Sequence, residues 1–150
     1  MLVLVHGSGP NDRDETVGAN KVFKDLAWGL ASKGIAVLRY EKRTRYYSIK
    51  MAEIKDKLTL ETETADDAIE AVKYLKTVPE INPSAIFVLG HSLGGLAIPL
   101  IARKDNGLAA GYIIMAGTVK PLEDVIVEQM TYLFSLDGNL SISEKAEIEK

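Results

Sequence analysis

The sequence runs to 150 residues, enough for one domain or for part of a larger one. Apolar residues make up 47% and charged residues 26%, a globular balance that excludes a disordered chain. With 18 Lys and Arg against 21 Asp and Glu, the net charge of −3 gives no electrostatic reason to expect nucleic acid or an anionic membrane as partner. Cysteine is absent, so disulfides, thiolate catalysis and thiolate metal sites fall away together. Two histidines, His6 and His91, make a multi-histidine metal centre an unlooked-for outcome, and no cofactor is expected. The apolar window 85–102 is broken by His91, Ser92, glycines and Pro99, so it does not read as a membrane span. The start MLVLVHG lacks the basic region and the length of a signal peptide. The reading is of a soluble chain whose compartment the sequence leaves open, with the cytoplasm favoured.

Residues 2–5 are consecutive apolar residues followed at once by His6-Gly7-Ser8-Gly9-Pro10, the pattern of a buried strand feeding a loop. Val22, Phe23, Leu26, Ala27, Leu30 and Ala31 recur at helical spacing, with Gly34 placed to end the helix. Residues 35–38 read as the next buried strand. Residues 41–57 are basic, aromatic and weakly periodic, and predict a long loop with at most one turn of helix. Over 59–76, Ala65, Ala68, Ile69, Val72 and Leu75 line one side of a helix, with acids early and Lys73 and Lys76 late, as the helix dipole favours. A third strand is predicted at 85–89, a helix at 93–103 bent by Pro99, a turn at Asp105-Asn106-Gly107 and a fourth strand at 108–115.

Past Gly117 the pattern changes to a longer helix through Leu122, Val125, Ile126, Gln129, Met130 and Leu133, closed by Asp137-Gly138. Ser141 and Glu144 have capping-box spacing and open a last helix that runs to Lys150. Strands alternating with helices predict an α/β fold with a parallel sheet of about four strands and helices on both faces. The expected division is a core over 1–117 and a helical segment over 118–150.

The chemistry-bearing motif is Gly90-His91-Ser92-Leu93-Gly94, which follows a predicted strand and opens a predicted helix. That spacing and context are those of a nucleophile elbow, where a sharp reversal holds the serine in strained φ/ψ with its hydroxyl outward. Gly90 and Gly94 stand where side chains would collide with neighbouring backbone. The N–H of Leu93, just past the serine, then faces the position of a tetrahedral oxyanion. The loop His6-Gly7-Ser8-Gly9 suits the second half of such a hole, its glycines turning N–H groups inward, with Ser8 N–H as the expected donor. A phosphate-binding loop is the competitor, but no Lys-Ser or Lys-Thr follows and the G-x-G-x-x-G spacing is missing.

HGSGPNDRDE at residues 6–15, LRYEKR at 38–43, IFVLGHSLGG at 86–95 and PLEDVIVEQ at 121–129 together resemble the α/β-hydrolase superfamily, in the bacterial esterase branch related to prolyl-oligopeptidase-type serine hydrolases. The chain departs from that branch at Glu41 and Thr44, where Asp and Gly are usual. The resemblance implies Ser92 as nucleophile, Ser8 and Leu93 as oxyanion donors, and Arg13 and Asp14 bracing the oxyanion loop. It also implies that residues 118–150 begin a lid, and that the strands are the third to sixth of an eight-stranded sheet, in spatial order fourth, third, fifth, sixth.

A serine needs a base within hydrogen-bond reach and an acid to orient that base. His91 directly precedes Ser92, where successive side chains diverge, and is expected to pack beneath the elbow; His6 is expected to fix the first loop. In this superfamily the acid and histidine follow the serine. They are therefore expected beyond residue 150, on two further βα units of roughly 60 residues. The chain is accordingly expected to be an incomplete hydrolase, inactive alone, whose parent cleaves a small-molecule carboxylic ester. Two alternatives stay open: a silent domain that self-associates through its edge strands or swapped lid helices, and a peptidase, thioesterase or acyltransferase on the same fold.

Overall fold

Every side chain of β1 (Leu2–Val5) is buried, because helices cover the strand from both faces. Alternation sends Leu2 and Leu4 to one face and Val3 and Val5 to the other. The structure, a computed structural model, describes residues 1–148 and divides into two compact units, Met1–Gly117 and Thr118–Lys150.

In the first unit β1 pairs in parallel with β4 (Val37–Leu38) on one side and β5 (Phe87–His91) on the other. β5 in turn pairs in parallel with β6 (Gly111–Met115), so the sheet runs β4, β1, β5, β6. A two-stranded antiparallel hairpin, β2 (Thr16–Val17) and β3 (Asn20–Lys21), stands apart from it. Helix α1 (Val22–Ala31) covers one face, where Phe23 packs with Leu2, Leu4 and Leu89. Helices α4 (Asp66–Leu75) and α5 (Leu93–Lys104) cover the other, where Ala68, Val72, Ala97 and Ile101 close over Val3, Val5 and Val88. The fold class is thus α/β with a parallel sheet and helices on both faces.

Several elements differ from the sequence reading, among them the fourth strand, which spans Gly111–Met115 rather than 108–115. Residues 35–38 do not form a buried strand: only Val37–Leu38 pairs, at the sheet's edge, and Ile35 is 40% exposed. An apolar run reports affinity for burial, and an edge strand lacks a neighbour to supply it. Residues 41–57 are not one long loop but α2 (Arg43–Tyr46), α3 (Ser48–Glu53) and a single tight turn at Lys55–Lys57. These turns expose Tyr46, Tyr47 and Ile49, so they carry no apolar period to detect. Their anchor is tertiary: the Arg43 guanidinium grips Asp67 of α4, with Nε 2.8 Å from Oδ2. The helix expected over 59–76 begins instead with a widened π turn at Glu61–Ala65 before α4. Helix α5 continues through Pro99, and Asn106 and Gly107 adopt positive φ in the turn that follows it.

The second unit consists of α6 (Leu122–Phe134), a tight turn at Ser135–Asp137, Gly138 at φ +88°, and α7 (Ile142–Ile148). The capping box is formed, with Ser141 N–H donating to Glu144 at 2.7 Å and Glu144 N–H donating to Ser141 Oγ at 3.2 Å. The expected run of this helix to Lys150 lies outside the described residues.

Phe23 is fully buried between the sheet and two imidazoles, so Phe23→Ala should cost about 3–5 kcal/mol. Urea denaturation midpoints of the two proteins measure that loss.

Candidate active site

β5 ends at His91 and α5 begins at Leu93, so the whole reversal from strand to helix falls on Ser92. Ser92 has φ +53° and ψ −117°, a conformation that side chains rarely adopt and that costs on the order of 1–3 kcal/mol. Its N–H donates to Met115 O of β6 at 3.0 Å and its carbonyl accepts Leu96 N–H at 3.0 Å, so one residue belongs to both elements. The side chain is exposed. Two glycines make the reversal sterically feasible. A Cβ on Gly90 would lie 2.1 Å from Gly94 O, and one on Gly94 would lie 2.2 Å from Val5 O. Helix α5 therefore starts against the end of β1, its first N–H groups free of intrahelical partners.

The loop after β1 reaches the same place. A Cβ on Gly7 would come 3.2 Å from Ser92 Cβ and 3.2 Å from Glu15 Oε1, so the Gly7 backbone lies directly beside the serine. The loop is held by charged groups that the sequence reading did not single out. Glu15, only 2% exposed and at φ +51°, accepts Gly7 N–H on Oε1 at 2.6 Å. Its Oε2 lies 2.8 Å from His91 Nδ1, an approach without hydrogen-bond alignment. One buried carboxylate thus touches both the loop and the residue before Ser92. Lys42, also 2% exposed, donates to Gly7 O at 2.9 Å, with Glu63 Oε1 3.3 Å from its Nζ. Asn11 donates to Gly7 O at 3.1 Å and to Ser8 O at 2.9 Å.

Arg13 and Asp14, expected to brace this loop, turn elsewhere. Arg13 Nε pairs with Glu41 at 2.7 Å on the surface, and Asp14 pairs with Arg39 and Lys21. Asp14, Arg13 and Glu15 share one charged run, and nothing in their order marks the one that turns inward; the positive φ at Glu15 does. Gly9 takes φ +85° and Ser8 is exposed. His6 is 1% exposed, lies against Phe23 and Tyr40 with ring centroids 5.1 Å from each, and contacts Asp12 O through Nε2 at 3.1 Å. Burial, and then the Lys42 ammonium, hold its pKa down to about 4 against the Asp12 carbonyl, which favours the protonated ring.

The expected residues Ser92, Leu93, Gly90, Gly94, His91, His6 and Gly7 are therefore brought to one corner, where β1 and β5 end. Among the described residues no group of His, Asp and Glu is placed to hold a metal ion. A cleft of about 550 Å³ runs past Tyr40, Arg43, Tyr47 and Tyr74, and Ser92 does not line it.

No protein-family model matches the chain. It is 48% identical over 147 residues to Esterase EstD of Thermotoga maritima, an alignment covering 98% of this chain and 34% of that protein. The chain therefore spans about a third of the length of that curated relative.

His6 takes up a proton below about 6.5 in the unfolded chain but only below about 4 when folded. As pH falls the unfolded state binds the proton first, so stability is full above about 6.5 and declines until about 4. The difference amounts to about 3 kcal/mol. Unfolding free energies at about pH 7 and pH 4.5 should fall further for the natural protein than for His6→Gln, and equal losses would contradict the assignment.

Proposed function

We propose that the protein is a serine hydrolase of the α/β-hydrolase type that cleaves carboxylic esters, with Ser92 as its nucleophile. The observation that carries this is Ser92 itself: an exposed hydroxyl-bearing residue at φ +53°, between a buried strand and a helix start, with Gly7 packed against it. A serine serving only as a surface turn would gain nothing from that strain. Similarity to an esterase over nearly the whole chain supports the same chemistry.

In this mechanism Ser92 Oγ attacks the ester carbonyl, its proton passes to a base, and the tetrahedral oxyanion sits between the N–H groups of Leu93 and Ser8. Collapse expels the alcohol, which takes the proton from the base, and water then releases the acid from Ser92 by the reverse sequence. Neither histidine is hydrogen-bonded to Ser92 among the described residues. His6 is buried, neutral at pH 7 and held at Asp12, and His91 directs Nδ1 at Glu15. This reading assigns the base and its orienting acid to groups other than these two histidines.

The test uses the natural polypeptide that carries this chain. Ser92→Ala should lower p-nitrophenyl butyrate hydrolysis by at least about 10³-fold and abolish covalent labelling by a fluorophosphonate. Hydrolysis persisting at the parent rate would overturn the assignment.

A further inference from the structure

The peptide joining Gly7 to Ser8 is gripped by one end only. Its carbonyl accepts Lys42 Nζ at 2.9 Å and Asn11 Nδ2 at 3.1 Å. Its N–H, that of Ser8, donates no hydrogen bond among the described residues. No cis peptide bond occurs among them, so this carbonyl and this N–H point in opposite directions. Whatever holds Gly7 O therefore decides where Ser8 N–H points.

Lys42 is an unusual choice for packing alone. An ammonium only 2% exposed is costly unless it is paired and hydrogen-bonded, and this one has Gly7 O and Glu63 as partners. Its chain neighbours behave differently: Glu41 turns out to Arg13 and Arg43 to Asp67. Lys42 alone enters, and its target is a glycine carbonyl beside Ser92. Glycine at that position leaves the peptide free to rotate at little cost, so a loop lacking this grip would populate orientations with the donor turned away. The Gly7 N–H is already secured by Glu15 at 2.6 Å, which leaves rotation of the Gly7–Ser8 peptide as the remaining freedom.

We propose that Lys42, with Asn11, is a positioning device that locks the Gly7–Ser8 peptide by its carbonyl and thereby aims the Ser8 N–H at the oxyanion. This rests on the reading of Ser92 and Ser8 given above. Lys42 and Asn11 touch no reacting atom; they act through the peptide they hold. A substrate in its ground state gains little from the lock, whereas a negatively charged tetrahedral oxygen gains the full strength of an aimed donor. Loss of the lock therefore falls on kcat and leaves KM nearly unchanged.

The experiment compares Lys42→Met and Asn11→Ala with the parent in the natural polypeptide, using p-nitrophenyl butyrate and counting active sites by the final stoichiometry of fluorophosphonate labelling. Lys42→Met should lower kcat per labelled site by about 10²-fold, with KM within about threefold, and weaken a trifluoromethyl ketone inhibitor by a similar factor, because its adduct carries the same oxyanion. Asn11→Ala, at a half-exposed position, should shift both quantities in the same direction by about three- to tenfold. A merely structural role predicts fewer labelled sites or a lower Tm with kcat per site unchanged. If either folded variant keeps kcat and inhibitor affinity within about threefold of the parent, the lock is disproved. If Lys42→Met does not fold, Asn11→Ala alone decides by the same criterion. Retention of hydrolysis in Ser92→Ala would instead place the fault in the underlying hydrolase reading.

Discussion

Backbone-to-backbone contact between the start of α5 and the ends of β1 and β5 is the constraint on which the rest of the molecule depends. A side chain at Gly94 would overlap the carbonyl of Val5, and one at Gly90 would overlap that of Gly94. Without those side chains the helix can begin a single residue after the strand, and Ser92 must absorb the whole change of direction. Its backbone strain, about 1–3 kcal/mol, is small beside what the joined elements bury. Val88 and Leu89 of β5 and Ala97, Ile98 and Ile101 of α5 are all core residues. The strained residue is stable because two well-packed elements leave it no alternative.

Charge is distributed around this corner in two ways. Arg13–Glu41 and Asp14–Lys21 are solvent-exposed to varying degrees and contribute little, as ion pairs screened by water do. Glu15 and Lys42 are different in kind, each 2% exposed and each bonded to the Gly7 backbone. Buried charges are weak sources of stability, since desolvation offsets most of their attraction. Their effect here is conformational: an otherwise permissive glycine is bonded at its N–H by Glu15, eight residues on, and at its carbonyl by Lys42, 35 residues on.

Much of the fold could be read directly. The apolar run at 2–5, the helical period through Val22, Phe23, Leu26 and Leu30, and the one-sided pattern of Ala68, Ile69, Val72 and Leu75 each lead to the element observed. In each case one face is buried, and burial imprints its period on the residues. Residues 43–53 failed to register as helix because α2 and α3 bury no side chain completely and so leave no such imprint. Residues 35–38 misled for the opposite reason: they are apolar without being enclosed.

The local geometry of the turn at Ser92 was equally plain. Gly90-His91-Ser92-Leu93-Gly94 specifies its own reversal, because the collisions that forbid side chains there involve the strand and helix it joins and the adjoining end of β1. What the residues by themselves determined was therefore the alternation of strands and helices and the exposed serine between two of them. Only the tertiary structure decided which member of Asp12-Arg13-Asp14-Glu15 turns inward, and that Lys42 crosses 35 positions of sequence to reach Gly7. Periodicity and turn chemistry are local properties, whereas the burial of a charge depends on which distant backbone group stands ready to receive it.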